Sequence, residues 1–270
     1  MSRGVNTADG PYAVAVAELP LSAHRSAERA GAVVVVPGDA GWREAARRAE
    51  ADGAAAIIVR DPGVIDAARP EATAGTAPIV IERLLLRSDV AFDAAQAPVP
   101  ELALIQVECS GSSAEFDLVL RDALGWARVL GGGALTLLKV TATSRGLCVF
   151  LERPAADAGG GPVAVTVLAS RRAAPAWIRA AAIGADRVEV TIDNARGTAA
   201  VDRSTAAGRL TVPPRWESPE RVVVRRALDA GRDTDECAEW ERDVTLVAVI
   251  REQEARIRES NTADRQPRVP

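Results

Sequence analysis

Residues 32–62, AVVVVPGDAGWREAARRAEADGAAAIIVRDP, constrain the fold more than any other part of the chain. Val33 to Val36 form an apolar run with no alternation, so a strand made from them needs cover on both faces, and Pro37-Gly38-Asp39 ends it. Trp42 to Ala51 is built from alanine, arginine and glutamate, all good helix formers. Ala56 to Val59 reads as a second doubly buried strand, and Pro62 stops it. Two such strands joined by a helix are the crossover unit of a parallel sheet.

The rest of the chain sets limits on that unit. At 270 residues and 48% hydrophobic content there is material for one large or two modest cores, so the chain is globular. The apolar content is mainly Ala, Val and Leu with 3% aromatic residues, which suits helices packed on parallel strands. A net charge of -4 gives a nucleic-acid partner no electrostatic footprint. Cys109, Cys148 and Cys237 are few, scattered and odd in number, which argues against a disulfide framework or metal cluster and fits a reducing cytoplasm. The expectation is a soluble cytoplasmic protein with no signal peptide and no apolar run long enough to span a membrane.

Along the chain, residues 1–11 are small and polar and are expected to be mobile. Tyr12 to Ala17 (YAVAVA) alternates like a strand, and Ser22 to Ala30 reads as a helix with Ser22 as N-cap. A Pro, Gly and Thr-rich connection, Pro70 to Pro78, closes a first domain expected over 12–78 and leads to a strand at Ile79 to Ile81. The second domain is expected over 79–260, with residues 261–270 as a mobile tail. Its strands are Leu102 to Ser110, Leu135 to Thr143, Val163 to Ser170 and Arg187 to Ile192. Its helices are Phe116 to Leu130, stopped by Gly131-Gly132-Gly133, then Pro219 to Ala230 and Cys237 to Ser260. Gly131-Gly132-Gly133 and Gly159-Gly160-Gly161 are turns. Neither opens a helix, where backbone N–H groups would meet an anion.

The Ala32–Pro62 segment resembles the pattern VVxxTPxxxHxxxAxxALxxGKHVxxEKP of the glucose-fructose oxidoreductase, inositol dehydrogenase and rhizopine-catabolism (Gfo/Idh/MocA) family. Trp42 stands roughly at that pattern's histidine, and Asp61 at its catalytic lysine. Downstream, FDLVLRDALGWARVLGGG is similar to the family's DxGxHxxDxxRxLxG: Arg128 and Leu130 keep its tail, while its histidine falls at Arg121 or Asp122. The resemblance implies an α/β plus α+β fold. A truncated Rossmann-like parallel sheet would precede a C-terminal domain with an open, mainly antiparallel sheet. It aligns Glu18 with the acidic residue that binds ribose, as a vestige. It also implies that the first strand, its GxGxxG turn and the first helix are absent, together with a strand and helix before Val33.

Chemistry is sparse at the positions so identified. The family's lysine donates a hydrogen bond to substrate; ionised Asp61 accepts only, so it is either a general base in a cleft or a solvated carboxylate before a proline turn. Asp117 and Arg121, four apart on a helix, form either an ordinary ion pair or, with Asp122, a proton-transfer cluster. His24 and Lys139 match no catalytic position. Trp126, Trp177, Trp216 and Trp240 read as packing or interface residues.

Two main readings stand. In the first the protein has lost dinucleotide binding, takes no cofactor, and serves as a structural or regulatory subunit in a homo- or hetero-oligomer with an intact family homologue. The sheet strands of the second domain would form the contact, through a face rich in Leu, Val and Ala. In the second it is an enzyme. That enzyme is either an atypical NAD(P)-dependent oxidoreductase completed by a partner chain, or a cofactor-independent lyase or isomerase on a sugar-like or polyol-like molecule, using Asp61, Asp117, Arg121 and Asp122. A small-molecule binding module without catalysis is a third.

Overall fold

The doubly buried strands are parallel neighbours: β3 (Val33–Pro37) and β4 (Ala56–Arg60) pair from Val33 with Ala56 to Pro37 with Arg60, connected by helix α2 (Trp42–Ala51). The computed structural model describes residues 2–64, 76–96, 98–155, 161–213, 217–230 and 236–263. It divides into two units, Met1–Asp89 with Trp216–Arg242, and Val90–Arg215 with Asp243–Pro270. The boundary expected after residue 78 therefore falls later, and a returning segment joins the first unit.

The first unit is built on a five-stranded parallel sheet in the order β2-β1-β3-β4-β5, where β1 is Arg3–Asn6, β2 is Ala23–Arg25 and β5 is Ile79–Glu82. Its core joins Val5, Val33, Ile58 and Val80 to Tyr12, Ala15 and Val16 of helix α1 (Pro11–Ala17) and to Val223, Val224 and Ala227 of helix α5 (Pro219–Asp229).

Three expectations fail here. Residues 1–11, expected to be mobile, contain β1, whose Val5 is fully buried between two strands. Tyr12 to Ala17, expected as a strand, is helical, because Pro11 at the first helical position presets φ and residues 12, 15 and 16 share one helix face. Ser22 to Ala30, expected as a helix, contributes β2, since pairing with β1 from Arg3–Ala23 onward overrides helix propensity. The first strand and first helix are thus present, not absent. Measured against the dinucleotide-binding order 3-2-1-4-5-6, the chain passes from β2 straight across to β3, and no strand lies outside β2 among the described residues.

The second unit carries an eight-stranded sheet, β13-β12-β11-β10-β6-β9-β8-β7, antiparallel except for the β6–β9 pair. The strands are β6 (Leu104–Gly111), β7 (Thr136–Thr143), β8 (Gly146–Arg153), β9 (Val163–Arg171), β10 (Trp177–Ile183), β11 (Arg187–Asp193), β12 (Thr198–Thr205) and β13 (Gly208–Thr211). Helix α4 (Phe116–Gly131) packs on β6, β9 and β10, and Gly132, in the left-handed region at φ 65°, caps it by donating to the Arg128 carbonyl. Helices α3 (Ser88–Ala95) and α6 (Glu236–Ala263) complete the elements.

Alternation directs Ile105, Val107, Val149, Val165, Val167, Ile178 and Val190 to the covered face of this sheet. The opposite face carries Gln106, Glu108, Thr166, Arg179 and Glu189 beside Phe150 and Leu168. It is therefore mixed rather than the apolar surface expected. The expectations for 70–75, Gly159-Gly160, Trp216, Gly231 and 264–270 lie outside the described residues. No described helix is long and apolar enough to cross a membrane.

Candidate functional site

In a parallel sheet, ligands meet the carboxyl ends of the strands where the order reverses, here at β1 and β3. The turn after β1, Thr7-Ala8-Asp9-Gly10, leads into α1, a helix of only 7 residues. Pro11 at its first position has no N–H, and the Ala13 and Val14 N–H groups both bond the Gly10 carbonyl at 3.0 and 3.2 Å. The Asp9 carboxylate projects from this turn, 91% exposed, and meets Arg25 at the end of β2 at 2.9 Å.

Each of β1, β3, β4 and β5 ends with a carboxylate on it or shortly beyond it: Asp9, Asp39, Asp61 and Glu82. Gly38 lies so close to β4 that a Cβ there would sit 1.9 Å from the Arg60 carbonyl oxygen. A dinucleotide pyrophosphate needs free N–H donors and a glycine-lined approach. These residues offer it a proline, the already bonded N–H groups of Ala13 and Val14, and like charge, at about 1 kcal/mol for each exposed anion pair near 4 Å. The fit is poor.

Asp61 sits at the end of β4, where the resemblance put it. Its backbone is left-handed, φ 38°, and its N–H donates to the Glu82 carbonyl at 3.0 Å. Aspartate tolerates that conformation better than most residues. Glu18 is displaced from its expected role. It caps the C-terminus of α1, donating its N–H to Val14, and lies 3.8 Å from Arg221, while the end of β2 is occupied by His24 and Arg25. His24 is likewise on a strand, not a helix, with Nδ1 2.9 Å from the Ser2 hydroxyl.

A buried cluster that the sequence did not announce lies beside Asp61. Tyr12 from α1 is 2% exposed and Glu82 from β5 is 4% exposed; they are neighbours, and the Arg60 guanidinium lies 5.4 Å from the centre of the Tyr12 ring. Burial pushes the Glu82 carboxyl up to about 7; the Tyr12 hydroxyl and Arg60 oppose this, and Glu220 and Asp61 add to it. Burial, with Glu82 next, also raises Tyr12. The signal was hidden because Tyr12 read as part of a strand and Glu82 fell just past the expected end of the next one.

In the second unit, α4 holds the other three candidates, and they do not form one group. Arg121 and Asp122 pair with each other at 2.8 Å with side chains 0% and 2% exposed, where no substrate reaches. Asp117, expected to pair with Arg121, meets Arg251 of α6 at 3.2 Å instead. Arg128, which keeps the family pattern, makes a two-pronged bond to Asp243, both contacts at 3.2 Å. Trp42, at the pattern's histidine, is 1% exposed and packs edge-on against Trp240 at 5.5 Å, so it contributes packing and not proton transfer. Among the described residues no group of His, Cys, Asp and Glu has metal-binding geometry.

No family model and no curated protein matches this sequence. Solved structures do. A levoglucosan dehydrogenase, determined with NADH and levoglucosan, is 11% identical over 95% of this chain and 98% of its own, with a TM-score of 0.66. UDP-N-acetylglucosamine 3-dehydrogenase from Acidithiobacillus ferrooxidans is 14% identical over 94% of this chain and 98% of its own, at 0.64. An oxidoreductase from Sinorhizobium meliloti is 14% identical over 83% of this chain and 77% of its own, at 0.62. The chain therefore has the two-domain fold of the Gfo/Idh/MocA-type oxidoreductases.

Proposed function

We propose that this protein keeps the oxidoreductase fold but not its dinucleotide, and acts as a non-catalytic structural or regulatory subunit, paired with a complete chain of the same fold. The observation that carries the reading is the β1–α1 turn: a short helix opened by proline, the N–H groups of Ala13 and Val14 bonded to the Gly10 carbonyl, and the Asp9 carboxylate projecting from the turn. The residues of α4 support it, since Arg121, Asp122 and Asp117 are each engaged in an ion pair.

The fold relative solved with NADH and levoglucosan suggests that the partner handles a small sugar or polyol. The enzyme reading draws support from the Tyr12–Glu82 pair, a carboxyl poised near neutrality for acid-base work. Its burial weighs against that use. Light scattering on the chain alone and mixed with a co-encoded homologue tests the subunit role: a mass above the monomer, in either sample, is expected. A chain that remains monomeric and ignores every such homologue overturns it.

A further inference from the structure

We propose that the uncovered face of the eight-stranded sheet carries a binding site for a small organic phosphate, in a hollow of about 440 Å³ bounded by Arg145, Arg172 and Trp177. The volume lies within the range of small-molecule sites, about 300–1,000 Å³. Strand register builds its floor. One rung runs Thr143, Gly146, Ser170, Ser110 and Trp177 across β7, β8, β9, β6 and β10. The next rung carries Cys148, Leu168 and Glu108. Gly146 lets β8 and β9 close up on the first rung, where a Cβ would sit 2.2 Å from the Ala169 carbonyl oxygen.

Charge identifies the ligand class. Elsewhere on this face arginines have carboxylate partners: Arg187 meets Glu189 at 2.7 Å and Arg209 meets Asp202 at 2.7 Å. The Arg145 and Arg172 side chains have neither an ion pair nor a hydrogen bond among the described residues, although both line the hollow. Their backbones are fixed at the same end of the sheet, because the Arg171 N–H donates to the Arg145 carbonyl at 2.8 Å and the Arg172 N–H to the Gly111 carbonyl at 2.9 Å. Two unpaired guanidinium groups held in this way suit one phosphate.

Thr141 and Thr143 line the same hollow with their hydroxyl groups bonded to the Cys148 and Gly146 carbonyls, both at 3.3 Å. Glu108 accepts one bond from Gln106 at 3.0 Å and keeps acceptor capacity for ligand hydroxyls. The half-buried Trp177 offers a flat apolar wall. The site is thus suited to a phosphate carried on a hydroxylated organic body.

Cys148, half-buried in the hollow, reports occupancy. Its alkylation by iodoacetamide, followed by peptide mass spectrometry on the full chain, is measured against rising glucose 6-phosphate as probe, with inorganic phosphate as a second arm. Cys237 serves as internal control, and Cys109 stays silent because burial pushes its thiol up to about 12. Saturable slowing at Cys148 alone is expected, at concentrations at least tenfold lower for glucose 6-phosphate than for inorganic phosphate. The exposed R145A/R172A double variant, shown by circular dichroism to remain folded, should need at least tenfold more probe. An unchanged Cys148 rate overturns the proposal. So does protection equal for both probes, or protection undiminished in the double variant.

Discussion

Asp61 shows how one residue can be legible in position and opaque in setting. Its place at the end of β4 followed from the run IIVRDP, but its left-handed backbone depends on the bond to Glu82, 21 positions on, which no local pattern reveals. Asp61→Lys restores the side chain that the resemblance implies, yet we expect no hydride transfer to NAD, because groups that act together are not restored singly. A spectrophotometric assay checks this, and turnover by that variant would contradict it. The variant should also lose about 1 kcal/mol of stability, since lysine accepts this backbone less readily than aspartate.

Glu82 makes a second prediction. Its folded pKa of about 7 exceeds its ordinary 4.5, so the unfolded chain releases the proton first as pH rises. Stability is therefore greatest below 4.5 and falls through 7, by about 3 kcal/mol from this group. Glu82→Gln, which keeps the shape without the charge, should remove that slope and make the variant more stable than the parent at pH 8. Urea midpoints at pH 5 and pH 8 measure it. An identical pH slope in both proteins would remove Glu82 as its source.

At the scale of elements, period and context decided what could be read. α2 and the strands beside it were legible because both strands are buried on two faces and so show unbroken apolar runs. α4 was legible through its glycine stop. α1 was misread because YAVAVA alternates small and large residues with period two, while its register is set by Pro11 before it. β2 is only 3 residues long and takes its conformation from β1, so it left no signal of its own.

Within α4, the candidate pair Arg121 and Asp122 turned out to be interior. Asp122→Ala should then cost roughly 3–5 kcal/mol, the penalty for taking the countercharge from a buried arginine. Denaturant unfolding measures this, and a loss below about 1 kcal/mol would mean the pair is solvated and open to chemistry after all.

For the molecule as a whole, the two-sheet architecture and its class were readable from the crossover unit and the strand-rich second half. The order of the first sheet was not, because it depends on which strands pair across the chain. With β1 in that sheet, the difference from a dinucleotide-binding unit lies in the turn after it and not in a missing first strand. The first strand and helix are there, and what changes is the turn, where Pro11 opens the helix and the Ala13 and Val14 N–H groups bond the Gly10 carbonyl. The most direct test is calorimetric titration of the full chain with NADH and with NADPH. No saturable heat in the micromolar range is expected for either; one-to-one binding with a micromolar Kd by this chain alone would show that the dinucleotide site is intact.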